Sequence, residues 1–316
     1  QHERAIDFHQ QAISIARELG DQRGEATSLG NLGTAYYRLG QHERAIDFHQ
    51  QAISIARELG DQRGEATSLG NLGTAYYRLG QHERAIDFHQ QAISIARELG
   101  DQRGEATSLG NLGTAYYRLG QHERAIDFHQ QAISIARELG DRQCEAASLG
   151  NLGIAYQSLG QYERAIDFHQ LSLKIKRELG DRQGEAHSLG NLGNAYKSLG
   201  QYERAIDFHQ LSLDIDRELG DRHGEANSLG NLGNVYHSLG QYPRAIDFYR
   251  QSLSISTQIG ARFATANQWF NLGLALEQTD DRENARDAFT HARELYADMG
   301  LAKDVEDCDK VLDNLA

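Results

Sequence analysis

Leu29-Gly30-Asn31-Leu32-Gly33-Thr34-Ala35-Tyr36-Tyr37-Arg38-Leu39-Gly40 is a stretch that returns at the same phase every 40 residues. Its first five residues stand unaltered from 69, 109, 149, 189 and 229, and come back from 269 as Trp-Phe-Asn-Leu-Gly. A fixed period of this size marks a solenoid, in which each supersecondary unit rests only on its neighbours. Function in such a chain belongs to a surface made by stacking, not to a pocket made once.

Each block carries two helix signals. The first runs from Asp21 to Leu39, with Asp21 suited to cap its start and Gly40 to stop it. Leu29, Leu32, Tyr36 and Leu39 form one apolar stripe, and Arg23, Thr27, Asn31, Thr34 and Arg38 form the polar stripe opposite. The second helix runs from His42 to Leu59. It has one apolar stripe at Ala45, Phe48, Ala52, Ala56 and Leu59, and another at Ile46 and Ile53. Two stripes imply cover on two sides, so the first helix is expected to line the open groove. Gly30 and Gly33 lie inside the first helix, where each costs about 1 kcal/mol relative to alanine. Gly33 shares the face of Leu29 and Tyr36 and is expected to let the second helix approach closely. Gly30 lies beside Asn31 and would leave space above the groove floor.

Working outward, residues 1–40, 41–80 and 81–120 are identical, and the fourth copy stays identical through Gly140. The 316 residues hold 32 glycines at fixed phases and a single proline, which fits helices joined by glycine turns. A net charge of −13 disfavours nonspecific binding to nucleic-acid phosphates. Cys144 and Cys308 fall at unrelated phases and make neither a disulfide framework nor a zinc spacing, which is compatible with a reducing cytoplasm. No apolar run reaches the roughly 18 residues of a membrane span. The chain begins at Gln1 in mid-motif without methionine, and is expected to be a piece of a longer protein.

Leu29-x-x-Leu32-Gly33-x-x-Tyr36, followed by Ala45-x-x-x-His49, resembles the tetratricopeptide pattern W-x-x-L-G-x-x-Y…A-x-x-x-F. Leucine replaces the tryptophan, histidine replaces the second aromatic, and the period is 40 instead of about 34. That variant is similar to the Pins/LGN spindle-orientation adaptors and to bacterial arrays attached to STAND-type signalling ATPases. The resemblance covers essentially the whole chain. It implies an all-α, right-handed α-solenoid of antiparallel helix pairs, with peptide or protein recognition as its activity.

Residues 1–20 read as an orphan second helix, 21–300 as seven helix pairs, and 301–316 as a C-terminal capping helix. In the last pair Trp269, Leu272, Gly273, Ala285 and Phe289 fit the shorter repeat pattern, and Leu276 stands where tyrosine is expected. The cap presents Val305, Cys308, Val311 and Leu312 inward, with Asp304, Glu306, Asp307, Asp309 and Asp313 on a wet outer face. In helix 2–19, Ala5, Ile6, Phe8 and Ile13 are expected to be partly uncovered, which raises end-to-end self-association.

Chemistry by a constructed active site is not expected. Fourteen histidines are present, but His42 and His49 are seven apart, with no i, i+4 pair or nearby cysteine pair to complete a metal site. His42 takes the place of Tyr162, Tyr202 and Tyr242 in later copies, so aromatic packing is expected of it. The repeated glycines are mid-helix and form no phosphate loop. Asp47 and Glu58 belong to a solvated outer face. No catalytic residue, cofactor or metal is assigned.

The informative surface is the polar stripe. Asn31, Asn71, Asn111, Asn151, Asn191, Asn231 and Asn271 form an unvarying ladder, and a side-chain amide can both donate to and accept from an extended peptide backbone. The resemblance implies that role; tying off a neighbouring helix is the alternative. The early copies add Arg23, Arg38, Arg63, Arg78, Arg103 and Arg118, and later ones Asn194, Asn227, Asn234 and Lys197. Phe270, Leu274 and Glu277 turn the last position apolar and acidic. A neutral hydrogen bond contributes about 0.5–1.5 kcal/mol, and ordering a peptide residue costs about 1–2 kcal/mol. Side-chain anchors must therefore supply the affinity, and arginine–carboxylate pairs would serve. The expected partner is a protein or an extended acidic peptide, in the cytoplasm, with no nucleic acid and no membrane. The alternatives are the sensor arm of a STAND-type ATPase and a self-assembling array, natural or engineered.

Overall fold

The computed structural model describes residues 2–315, leaving Gln1 and Ala316 outside, and among these residues there are sixteen helices and no strand. The chain forms two compact units, Gln1–Gln161 and Tyr162–Ala316. The first holds α1 (His2–Leu19), α2 (Gln22–Arg38), α3 (His42–Leu59), α4 (Gln62–Arg78), α5 (His82–Leu99), α6 (Gln102–Arg118), α7 (His122–Leu139) and α8 (Arg142–Ser158). The second holds α9 (Tyr162–Glu178), α10 (Arg182–Ser198), α11 (Tyr202–Leu219), α12 (Arg222–Ser238), α13 (Tyr242–Gln258), α14 (Arg262–Glu277), α15 (Arg282–Asp298) and α16 (Ala302–Asn314). Within each unit a helix packs mainly on its sequence neighbours, and each first helix also touches the next first helix. This is an all-α repeat solenoid.

The helix ends follow from local chemistry. Asp21 caps α2 by accepting the Gly24 N–H at 2.9 Å, and Asp61, Asp101 and Asp141 repeat the cap at Gly64, Gly104 and Cys144. Gly40 and Gly60, at φ +74° and +65°, reverse the chain in a conformation that a β-carbon disfavours. A clamp joins each second helix to the following first helix: Arg57 Nε donates to Glu65 Oε1 at 2.6 Å, and Arg17–Glu25 and Arg97–Glu105 repeat it.

Leu29, Leu32, Ala35 and Tyr36 of α2 meet Ala45, Ile46, Ala52, Ile53 and Ala56 of α3 in the core. Two expected members of the stripes sit elsewhere. Leu39 is half-buried, and Leu59 is exposed at the last helical position before the chain reverses at Gly60. Tyr36 stacks on Phe48 at 5.3 Å, and His42 lies against Tyr37 at 5.3 Å, an aromatic contact as its position implied.

His49 supplies what the second aromatic supplies elsewhere. It is 1% exposed, and its ring lies on Gly33 so closely that a β-carbon there would stand 2.8–3.0 Å from ring atoms. Gly73 seats His89 and Gly113 seats His129 in the same way, and in the second unit Gly193 seats His209, Gly233 seats Tyr249 and Gly273 seats Phe289. The helical cost of these glycines is offset by that contact. Among the described residues Nδ1 of His49, His89 and His129 has no hydrogen-bond partner, and burial lowers each ring to a pKa of about 4.

The two ends differ. On α1, Ile13 is buried against α2, contrary to expectation, because the following first helix covers that side. Phe8, Ile15 and Leu19 are 62%, 55% and 77% exposed, and Ala5 and Ile6 are half-buried. At the other end α16 closes on α15, with Cys308 fully buried and Val305, Val311 and Leu312 half-buried. Its Asp309 is not merely solvated, since it pairs with Arg293.

Candidate binding groove

The polar stripe of the first helices lines a row of recesses in the first unit. Between α2 and α4 a recess of about 350 Å³ brings together Arg23, Thr27, Gly30, Asn31 and Thr34 with Asp61, Arg63, Gly64 and Asn71, over Ala52 and Ala56 of α3. Between α4 and α6 a recess of about 190 Å³ gathers Asn71, Thr74, Asp101, Arg103, Gly104 and Asn111 over Ala92 and Ala96 of α5. A third, of about 230 Å³, holds Tyr37, Thr74, Tyr77, Arg78, His89, Asn111 and Thr114. Asn71 and Asn111 thus each serve two neighbouring recesses. Gly30 does leave room, since an added β-carbon would meet only Ser68 Oγ at 3.8 Å.

The arginines fall into two kinds. Arg103 Nε lies 3.1 Å from Asp141 Oδ2, and Arg23 Nε lies 3.8 Å from Asp61 Oδ2, so the caps of the next first helices meet these cations. Asp141 is held below the usual carboxylate range by the Cys144 N–H and, secondarily, by Arg103. The recess between α2 and α4 is therefore mixed in charge, where residue counting along the stripe gave a basic one. Asp61 and Asp101 have a second position, on the wall of the groove, that follows from stacking one repeat against the next. Arg78 and Arg118 differ. Each donates through Nε to a tyrosine hydroxyl of the preceding repeat, Arg78 to Tyr37 at 3.0 Å and Arg118 to Tyr77 at 2.9 Å. Neither forms an ion pair among the described residues, so the guanidinium charge is positioned but not neutralised. Arg38 is exposed and lines none of these three recesses, and Arg63 lines the first.

The remaining ladder members keep their phase. Asn151 Nδ2 donates to Thr114 Oγ1 at 3.4 Å, a bond at the outer limit. Asn191, Asn231 and Asn271 of the second unit are half-buried, as are Asn194 and Lys197, and Asn227 is exposed. Asn234 is committed in part, its Oδ1 accepting from the Tyr249 hydroxyl at 2.8 Å. Lys197 has no ion pair among the described residues, burial lowers its ammonium pKa, and it stands near His209 and His237. Among the described residues no group of three or more His, Cys, Asp or Glu side chains gathers as a metal site, and no helix is long and apolar enough to cross a membrane.

The tetratricopeptide repeat family matches the chain in seven overlapping stretches, 1–58, 51–98, 64–138, 104–178, 144–218, 184–258 and 224–298. The chain belongs to that family. No curated protein matches its sequence. Among solved structures it is similar to BtubC (BKLC) from P. vanneervenii, at 24% identity and a TM-score of 0.62 over 70% of this chain and 92% of that one. The STAND protein PH0952 from Pyrococcus horikoshii, which has a tetratricopeptide repeat sensor, matches at 18% identity and a TM-score of 0.73, over 96% of this chain and 47% of its own. A Rap protein complexed with competence and sporulation factor matches at 15% identity and a TM-score of 0.64, over 99% and 94%. Likeness at these identities speaks to the fold.

Proposed function

We propose that this chain is a non-catalytic scaffold that holds an extended, acidic protein segment along the groove of its first helices. The observation that carries the reading is the shared recess: Asn31 with Asn71, Asn71 with Asn111, and Asn111 with the ion-pair-free Arg78. The asparagines are suited to the ligand's main chain, and Arg78 and Arg118 to its carboxylates. The 40-residue period with an asparagine in every copy supports kinship with the Pins/LGN-like arrays. The Rap complex supports a ligand-holding role for the fold.

The test is fluorescence anisotropy with a short labelled peptide of glutamate, serine and glycine, at low and high salt. The double variant Arg78→Glu, Arg118→Glu is expected to bind at least about tenfold more weakly and with a flatter salt dependence. Unchanged affinity refutes the reading. A second reading, the sensor arm of a STAND-type ATPase, is supported by the fit of this chain to nearly half of PH0952. The gene surrounding this segment decides it, since a phosphate-binding loop upstream is required. Self-association through α1 is supported by the exposure of Phe8, Ile15 and Leu19. A concentration-independent monomer mass in light scattering excludes it.

A further inference from the structure

The recesses have floors as well as rims, and the floor changes along the chain. Ala52 and Ala56 floor the recess between α2 and α4, and Ala92 and Ala96 floor the next. The same two positions on α11 hold Ser212 and Asp216. Asp216 is only 3% exposed. Its Oδ2 accepts from Ser228 Oγ at 2.8 Å, and among the described residues its Oδ1 accepts no hydrogen bond and the side chain makes no ion pair. A β-carbon on Gly224 would stand 2.5 Å from that free oxygen. Gly64 and Gly104, the counterparts of Gly224, line the recesses of the first unit, so Oδ1 lies against the residue that corresponds to a recess-lining glycine, between α10 and α12.

The charged neighbours do not satisfy this carboxylate. Asp221, the cap of α12, and Glu225 repel it, while His187 of α10 favours its ionised form from an exposed position. Glu225 already takes both Arg217 and Arg222, and the Asp221 side chain caps α12 at Gly224. Burial pushes the Asp216 carboxyl above the usual range. The fold does not need an acid here, since the four identical copies place alanine at Ala16, Ala56, Ala96 and Ala136. An ionised carboxylate without a cation is strongly disfavoured in such a place unless something brings the cation.

We propose that Asp216 is a specificity-determining residue that takes a cationic side chain, ammonium or guanidinium, from the segment lying between α10 and α12. The assignment rests on the groove reading above, and it makes the preferred ligand acidic with one basic residue at a fixed place. The experiment uses the full chain and the same labelled glutamate, serine and glycine peptide, with one lysine walked through its positions. One lysine position is expected to improve affinity roughly tenfold or more, and norleucine at that position to give no gain. Asp216→Ala, which installs the residue of the identical copies, is expected to abolish the gain while leaving the acid-only peptide bound. Asp216→Lys is expected to move the preference at that position to glutamate. If no lysine position helps, or if the gain survives Asp216→Ala, the assignment is wrong and the groove reading stands. If no peptide of the set binds the wild-type chain, the groove reading fails and this assignment fails with it.

Discussion

The buried histidines make the solenoid sensitive to mild acid. His49, His89, His129, His169 and His209 all have a pKa of about 4 in the folded chain, because burial opposes the imidazolium, against an ordinary value of 6.5. The sign follows from proton binding. Above the ordinary value both states are neutral, and as pH falls the unfolded chain takes up protons first, so stability is lost below about 6.5 until the folded rings also protonate near 4. At pH 5.5 each ring contributes a loss of about 1.4 kcal/mol, and below 4 the loss per ring levels off at about 3.4 kcal/mol. His49, His89 and His129 lie in the first unit, which should therefore lose about 4 kcal/mol between neutral pH and pH 5.5, a large share of a domain's usual 5–15 kcal/mol. Asp141 is held low by the Cys144 N–H and titrates beneath this window.

Denaturant unfolding followed by circular dichroism at the two pH values measures the slope. The chain itself supplies the control, because Phe289 occupies on Gly273 the seat that His49 occupies on Gly33. In the triple variant His49→Phe, His89→Phe, His129→Phe the first unit's share of the slope should vanish. An equal loss in the triple variant, or no loss in the wild type down to pH 5.5, refutes the assignment of these rings as neutral, unpartnered core groups.

Three further outcomes follow from the same geometry. Gly33→Ala should destabilise by about 1–3 kcal/mol, because its β-carbon meets the His49 ring at 2.8 Å, whereas Gly30→Ala should stabilise by up to about 1 kcal/mol and weaken peptide binding; melting curves and anisotropy separate the two. Asp216→Ala should raise stability by about 1 kcal/mol or more at neutral pH and by less as pH falls, because burial raises the Asp216 carboxyl and acid relieves the cost of its charge; chemical unfolding at neutral and acid pH checks this. Asn71→Ala should weaken binding of a short peptide only about two- to threefold, because the identical copies offer the same contacts one repeat away. Complete loss of binding would show that a single register is used.

Periodicity made the fold legible. Asp21, Gly40 and Gly60 punctuate the chain as their conformational preferences require, and helix ends fell within a residue or so of the expected ones. The phase of Asn31 was legible too, because a polar stripe at helical spacing has one direction to face. What a one-dimensional pattern lacks is the neighbour from the next repeat. Asp61 reads as a helix cap and is also a groove wall beside Arg23. Ala56 reads as a core residue and is also a floor. His49 reads as a weak substitute for an aromatic, and only the contact with Gly33 shows that its ring is the buried, neutral filler of the seat. The signal for Asp216 was present in the alignment of copies, where one position runs alanine, lysine, aspartate and serine at Ala136, Lys176, Asp216 and Ser256.

On the proposed assignment, that position would let such an array change its ligand without changing its fold. The seat of glycine and ring, the arginine–glutamate clamp and the aspartate cap fix the spacing of the first helices, and of these Asp61, Asp101 and His89 also line recesses. The floor position is buried in most copies, and alanine, lysine, aspartate and serine all occupy it without a change of fold. Charge at the floor acts at closer range and with less screening than charge at the rim, where Arg23 is met by Asp61 and exposed pairs contribute little. Changing Asp216 to lysine should therefore redirect the ligand preference more than reversing Arg23, although Arg23 is the more exposed cation. Anisotropy titrations of both variants against the lysine-walked peptides compare the two directly, and a larger effect of Arg23→Glu would place the selectivity at the rim.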